Sequence, residues 1–249
     1  MKNNFLNGKT ILISGATGGI GKRVAQRYCD LNCNIFMVHK HDNSHTKEIV
    51  NEISSRTAKV WDITLDLTQP TGLKKLNDFL SKNHFTIDII INCVGVFVPS
   101  LVTNVSEKDL SVTFLNNLYA PINLVKTSLP FFKLDRESRI VNVSSVAANS
   151  ANIGQGVYAM SKSALITYTK CLAQELFRYK IPVNCVSPGF VETEMSVPYY
   201  KKFVNEIPFK RFASPEEIAE VVFFLTSEKV KYITAQNIII DGGYSNKNI

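Results

Sequence analysis

"KTILISGATGGIG", residues 9–21, is the stretch whose reading decides the fold. A short apolar run meets glycines at once, and "GIGKRVAQRYCDLN", residues 19–32, then carries its apolar residues at helical spacing. A strand that feeds a helix through a glycine turn is half of a βαβ unit. Missing side chains let the backbone turn sharply and approach a bound group. The first turn of the helix then offers unpaired N–H groups and a positive dipole end to a negative charge. The stretch reads as a pyrophosphate-binding turn; the plain alternative is a tight turn without a ligand.

Outward from it the pattern repeats. "NIFMV" is a second strand-like run, then come the helix-like "HTKEIVNEISSR", "KVWDITLDL", the helix-like "GLKKLNDFLSKN" and "IDIIINCVG". A long helical region covers about 107–133, followed by "RIVNVSS", a helix from Tyr158 to about 180, "PVNCVSPG", the helix opened by "SPEEIAEVVFFL", and "QNIIIDGG". Short apolar runs alternating with helix-period segments predict parallel strands buried on both faces by crossover helices. The expected fold class is α/β, a Rossmann-type doubly wound parallel sheet of about seven strands. No internal repeat and no Pro/Gly/Ser linker interrupts it, so residues 1–249 read as one domain. Ser214, Pro215 and Glu217 form a capping-box signature, a structural signal and not a catalytic one.

Composition narrows the function classes. With 45% hydrophobic and 20% charged residues the chain can bury a sizeable core. No apolar run approaches the roughly 20 residues of a membrane span, and the N-terminal stretch lacks a signal-peptide pattern, so a cytoplasmic, membrane-free protein is expected. The 28 basic residues give a net charge of +7 but are scattered, which argues against nucleic acid and suits anionic substrates or an acidic partner. Five cysteines without a C-x-x-C pair read as reduced thiols. His39, His41 and His45 lack a full ligand set, so no metal is expected.

A second motif lies in "GVYAMSKSALITY", residues 156–168. Tyr158 and Lys162 stand four apart, on one helix face one turn apart, where a phenol and an ammonium can act on one small molecule. Alone the spacing is weak, since many surface helices carry such a pair.

Together, "SGATGGIG", "LDLT", "NCVG", "NNLYAP", "IVNVSS", "YAMSK", "SPGFVET" and the closing "DGG" resemble the short-chain dehydrogenase/reductase family over nearly the whole chain. The resemblance implies a catalytic set of Asn117, Ser145, Tyr158 and Lys162. Ser145 would hydrogen-bond the substrate oxygen. Lys162 would hold the nicotinamide ribose and lower the phenol's pKa from its ordinary ~10. Asn117 would fix a water joining Lys162 to solvent; Asn116 competes for that role, and Ser144 is sent to the other face by strand alternation. For the cofactor it implies Gly15, Thr17, Gly18, Gly19, Ile20 and Gly21 at the pyrophosphate, and Asp66 and Leu67 near the adenine. Asn92 and Gly95 would border the cofactor, Tyr158 and Lys162 would contact it, and Pro188, Gly189, Val191 and Thr193 would line the nicotinamide, with Thr193 on its carboxamide.

"MVHKHD" places His39 where NAD-preferring members carry an acidic residue, with Lys40 after it, so NADP(H) is favoured and NAD(H) is the alternative. The closing segments look most like 3-oxoacyl-[acyl-carrier-protein] reductases, implying a small-molecule or acyl-carrier-bound ketone, with Arg136, Arg139 and Arg178 as candidates to meet an acidic carrier protein. Departures from the pattern are Ser14 for a threonine, "NCVG" for N-N-A-G, Ala235 where a glycine is expected, and a short aromatic lid at about 190–212. Another ketone, sugar or secondary alcohol as substrate stays open, as does a dinucleotide-binding regulator without turnover. The resemblance also implies a homotetramer built on helices 107–133 and 158–180 and on the C-terminal region.

Overall fold

A computed structural model describes residues 4–29, 31–56, 59–135, 137–150 and 152–246. In chain order the elements are β1 (Thr10–Ser14), α1 (Gly19–Cys29), β2 (Asn34–His39), α2 (Ser44–Ser54), β3 (Lys59–Thr64), α3 (Pro70–Lys82) and β4 (Ile89–Asn92). They continue as α4 (Glu107–Phe114), α5 (Ala120–Ser128), β5 (Arg139–Val143), α6 (Gly156–Leu176), β6 (Val183–Pro188), α7 (Tyr200–Phe203), α8 (Pro215–Thr226) and β7 (Asn237–Ile240).

The seven strands form one parallel sheet in the order β3-β2-β1-β4-β5-β6-β7. Every residue of β1, β4, β5 and β6 is buried, which is why these strands read as continuous apolar runs without alternation. One core layer packs the sheet against α1, α2 and α8, the other against α3, α5 and α6. The order reverses between β1 and β4, and the crevice beyond their C-terminal ends is where such sheets hold ligands.

Inside this apolar slab runs a one-way hydrogen-bond ladder. Ser14 donates to Asn92 at 3.2 Å, Asn92 to Asn142 at 2.8 Å, and Asn142 to Thr169 at 2.8 Å, whose hydroxyl donates to the Leu165 carbonyl. The register places Ser14, Asn92 and Asn142 side by side on adjacent strands. Each buried amide is satisfied, so the polar line ties three strands to α6 without the penalty of an unpaired group.

Two local details correct the sequence reading. The helical region 107–133 is not one α-helix: a π-helical turn, Leu115–Tyr119, separates α4 from α5, and a 3-10 turn ends the run at Phe131. Arg139 does not reach the surface; it is fully buried at the start of β5, where it donates to the Ser138 carbonyl at 2.7 Å and lies over Phe5. Arg178 is exposed, but it follows the C-terminal end of α6, some 30 Å along the helix from Tyr158 at 1.5 Å per residue. Neither arginine flanks the crevice, and Arg136 lies outside the described residues. The expected capping box forms, with Ser214 and Glu217 bonding each other's backbone N–H and Arg211 gripping the same glutamate in two contacts of 2.7 Å. Of the five cysteines, Cys171 is exposed, and none forms a disulfide among the described residues.

Candidate active site

The glycine turn is shaped by what its residues lack. Gly15 leaves β1 at φ +64°, and a Cβ there would stand 2.9 Å from the Val94 nitrogen. At Gly21 a Cβ would overlap the Gly15 carbonyl, and at Gly19 it would overlap the Thr193 side chain. β1, the loop after β4 and the segment after β6 therefore converge on one cradle, with the open N–H groups of α1 facing it. A pyrophosphate fits such a cradle, because backbone donors and a helix terminus replace the side chains that would fill it. Thr17, Gly18 and Ile20 complete the loop, and Gly18 is exposed.

At the other end of the crevice the expected nucleoside contacts fall into two groups. The Lys40 ammonium lies 2.8 Å from the Asp66 carboxylate, which also accepts from the Thr68 N–H and hydroxyl. Burial pushes the Asp66 carboxyl up, but the Lys40 and Thr68 hydrogen bonds outweigh it and hold the group below its ordinary value. His39, by contrast, is turned inward: its Nδ1 meets the His41 carbonyl at 2.9 Å and its Nε2 meets the Asp62 carboxylate of β3. Leu67 and Asn92 are also committed to the interior. Leu67 is a core side chain whose carbonyl accepts from Asn123, and Asn92 belongs to the ladder. Only the backbones of these two residues are left to border a nucleotide.

The catalytic candidates do assemble. Ser145, just past β5, and Tyr158, in the first turn of α6, line the same cavity, with the Ser145 hydroxyl placed to hydrogen-bond the phenol. Ser145 Oγ accepts from the Ala147 N–H at 3.2 Å, which leaves its proton free to point outward. Burial raises the Tyr158 phenol above its ordinary value, and the Ser145 bond opposes that rise. Lys162 is buried one turn on, its Nζ 6.0 Å from the Tyr158 ring centroid and donating to the Val143 carbonyl at 3.0 Å. Burial brings its pKa down to about 8, against the nearby Cys185 and Cys93 thiols.

Asn117 sits in the π turn, where the extra backbone residue per turn swings the amide inward. Its Oδ1 accepts from the Val96 N–H at 2.7 Å, and its Nδ2 donates to the Val96 carbonyl at 2.9 Å and to Ser161 at 3.0 Å. The amide thus clamps the loop segment after Gly95, and a Cβ at Gly95 would stand 3.1 Å from Lys162 Nζ and 3.4 Å from Asn117 Oδ1. Asn116 instead donates to its own helix at Val112. Ser144 points away from the cavity and donates to the Lys162 carbonyl at 2.9 Å. Beyond β6, Gly189 is pressed against Asp241, Val191 bridges Ala213, and Thr193 meets Ser196 at 3.3 Å.

The cavity itself, about 210 Å³, was not legible in the motifs. Phe97 stands edge-on to Tyr158 at 5.2 Å and to Tyr199 at 5.9 Å. On the far side Phe190 stacks between Phe203 and Phe212 and meets Tyr244 edge-on. The only signal in the sequence was the aromatic content of the stretch after Met195. Such an arrangement can hold an apolar carbonyl compound with two hydroxyls on its oxygen, beside a cradle for a dinucleotide.

Comparison with known proteins agrees with this geometry. Residues 15–245 match the model of a family described as Enoyl-(Acyl carrier protein) reductase. The chain is 34% identical over 242 residues to the 3-oxoacyl-[acyl-carrier-protein] reductase FabG of Thermotoga maritima, covering 96% of this chain and 98% of that protein. It is 33% identical over 243 residues to the protein of the same name from Aquifex aeolicus, with the same two coverages. Among solved structures, a short-chain dehydrogenase/reductase from Serratia marcescens matches with a TM-score of 0.90 and 27% identity over 96% of this chain and 99% of that one. A 3-oxoacyl-[acyl-carrier protein] reductase with bound NAD from Brucella melitensis matches with a TM-score of 0.87 and 25% identity over 98% and 94%.

Proposed function

Because this chain belongs to the short-chain dehydrogenase/reductase family, we propose that it uses NADPH to reduce a 3-oxoacyl thioester on an acyl carrier protein to the 3-hydroxyacyl thioester. Membership makes it an oxidoreductase of CH–OH groups with a nicotinamide dinucleotide cofactor. The observation that carries the proposal is the pairing of the Ser145 and Tyr158 hydroxyls in the wall of one apolar cavity, next to the glycine cradle.

When bound, the dinucleotide supplies the hydride. Tyr158 gives the proton to the substrate oxygen, and Ser145 donates a hydrogen bond to that oxygen as charge develops on it. Lys162, anchored by Val143, holds positive charge beneath the phenol and would hold the ribose of the bound dinucleotide. Asn117 keeps the backbone after Gly95 in place by its paired bonds to Val96. The aromatic walls keep water away, with residues 190–212 as the substrate lid over a single domain. Lys40, half exposed at the crevice, supports the preference for a 2′-phosphate; its pairing with Asp66 has to open or share the ammonium to receive it.

The description of the matched family names an enoyl reductase, whereas the relatives at 33–34% identity are 3-oxoacyl reductases. Two hydroxyls converging on one point suit a carbonyl oxygen better than a carbon–carbon double bond. The protein is proposed to act in the cytoplasm as a homotetramer, which would cover the exposed Leu110, Leu115, Tyr119, Met160 and Phe177 on one set of helices and Phe224, Tyr232 and Ile239 toward the C-terminus. A monomeric mass in light scattering would refute that assembly.

The experiment is cofactor consumption with acetoacetyl and crotonyl thioesters, each with NADPH and NADH. Rapid turnover of acetoacetyl thioester with NADPH is expected. Crotonyl turnover alone would favour the enoyl reading, and turnover of neither, with the dinucleotide still bound, would redirect the search to sugars and other ketones.

A further inference from the structure

Among the described residues lining the cavity, Lys202 is the one that carries a charge. The others are aromatic, aliphatic, amide, hydroxyl or glycine. An anion drawn into such a lining without a counter-charge loses hydration and gains nothing, so a single cation there selects for one anionic group on the ligand.

The position of Lys202 separates it from the reacting end. Tyr199, three residues earlier on the lid, is linked to Tyr158 through Phe97 by two aromatic contacts of 5.9 and 5.2 Å. The carbonyl oxygen is served by Ser145 and Tyr158, so the lysine has no part in the proton transfer. It is exposed, at the solvent side, with its ammonium 5.0 Å from the Phe203 ring centroid. Phe203 is buried and stacked on Phe190 at 4.6 Å, so the backbone that carries Lys202 is anchored. No carboxylate of a described residue forms an ion pair with it. An ammonium without a carboxylate partner, carried on an anchored backbone in the lining of an apolar cavity, can serve as a recognition point.

We propose that Lys202 is a specificity-determining residue that recognises a phosphate on the arm of the substrate remote from the ketone. This rests on the thioester reductase reading, in which the arm is a phosphopantetheine whose phosphodiester is the anion outside the apolar section. A phosphate stands at the same place on the arm as a diester on a carrier protein, as part of a pyrophosphate in coenzyme A and as a monoester on free phosphopantetheine. The lysine reads that group and not the acidic surface of the carrier.

The test compares wild type, Lys202→Ala and Lys202→Arg on three acetoacetyl thioesters: of N-acetylcysteamine, which has no phosphate, of phosphopantetheine, and of the carrier protein. Solvent exposure weakens the contact, so the expected loss in kcat/KM for Lys202→Ala is roughly fivefold to tenfold, carried by KM. It should appear on phosphopantetheine and carrier alike, be absent on N-acetylcysteamine, and be restored largely by Lys202→Arg. An equal loss on all three thioesters would make Lys202 a structural residue and overturn the proposal. A loss confined to the carrier would assign it to protein carboxylates and also overturn it. If the wild type turns over none of them, the reductase reading falls and this inference with it; if the wild type is active and Lys202→Ala unchanged, only the inference falls.

Discussion

The Lys162 ammonium donates to the Val143 carbonyl at 3.0 Å and stands 6.0 Å from the centre of the Tyr158 ring. The lysine is thus tethered to the end of β5 rather than bonded to the phenol. The sequence spacing suggested that the ammonium would lower the phenol's pKa. In the folded chain burial dominates and raises it, with Ser145 supplying the opposing hydrogen bond. Ser144 adds a second tie from the same strand end to the Lys162 carbonyl, so consecutive residues of the chain present Ser145 to the cavity and fix α6 behind it.

Tyr158→Phe removes the proposed proton donor while keeping the ring that packs on Phe97. Turnover is expected to fall by at least about 100-fold, in line with the usual worth of general acid catalysis, with dinucleotide affinity retained in a fluorescence titration. Near-normal turnover would take the acid role away from Tyr158.

Ser145→Ala removes the bond that holds the Tyr158 pKa down, so that pKa rises further. Oxidation of the alcohol requires the phenolate, and its alkaline rise should move to higher pH. Reduction requires the protonated phenol, so its pH profile should stay flat over the neutral range while its rate drops for lack of the oxygen's hydrogen bond. An alkaline limb that stays put or moves lower would contradict the assigned geometry.

Lys162 carries a stability signature in the dinucleotide-free protein. Its pKa falls from 10.5 when unfolded to about 8 when folded, so between these values the unfolded chain binds more protons and stability rises with pH. Below about pH 8 the cost of burying the charge is present in full. At about 1.4 kcal/mol per pKa unit it is of the order of 3 kcal/mol. Lys162→Met has no such group, so urea denaturation should show wild type gaining on the variant by up to that amount from pH 8 to 10.5. A constant gap would mean that Lys162 is not buried as a cation.

The glycine turn separates two neighbours. Gly15→Ala meets both a φ of +64° and backbone atoms 2.9–3.0 Å away, and should destabilise the protein by at least ~2 kcal/mol, the left-handed region alone costing about 1–2 kcal/mol. Gly18→Ala meets only the Gly15 oxygen at 3.4 Å with an ordinary φ, and should cost less than ~1 kcal/mol. Thermal melts of the two variants test the contrast; similar losses would mean the turn is not built as described.

Ala235 occupies the left-handed region at φ +58°, just before β7, with its N–H donating to the Val183 carbonyl at 2.8 Å. A glycine there escapes about 1–2 kcal/mol of strain and loses about 0.4–1 kcal/mol to unfolded-state entropy. Ala235→Gly should therefore stabilise by about 0.5–1 kcal/mol, a Tm gain of roughly 1–4 °C for a chain of this length. A lower Tm would show that the alanine methyl makes packing contacts worth more than the strain.

The sequence by itself determined the sheet and its order of elements, because strands buried on both faces must be continuous apolar runs and crossover helices must show a 3.6-residue period. It also set Tyr158 and Lys162 on one face, since both lie within one helix where spacing fixes which face a residue takes, and the family resemblance marked Ala235 as standing in a glycine's place. Only the tertiary structure decided where side chains from distant segments point. It turned His39 toward Asp62, committed Asn92 to a ladder across β1, β4 and β5, buried Arg139, and paired Lys40 with Asp66. It also assembled Phe97, Phe190, Tyr199 and Phe203 from separate parts of the chain into the walls of a cavity. Local periodicity records which face of an element is apolar. It carries no information about which partner, many residues away in the chain, will satisfy a buried polar group or close a pocket, because that is settled by packing between elements.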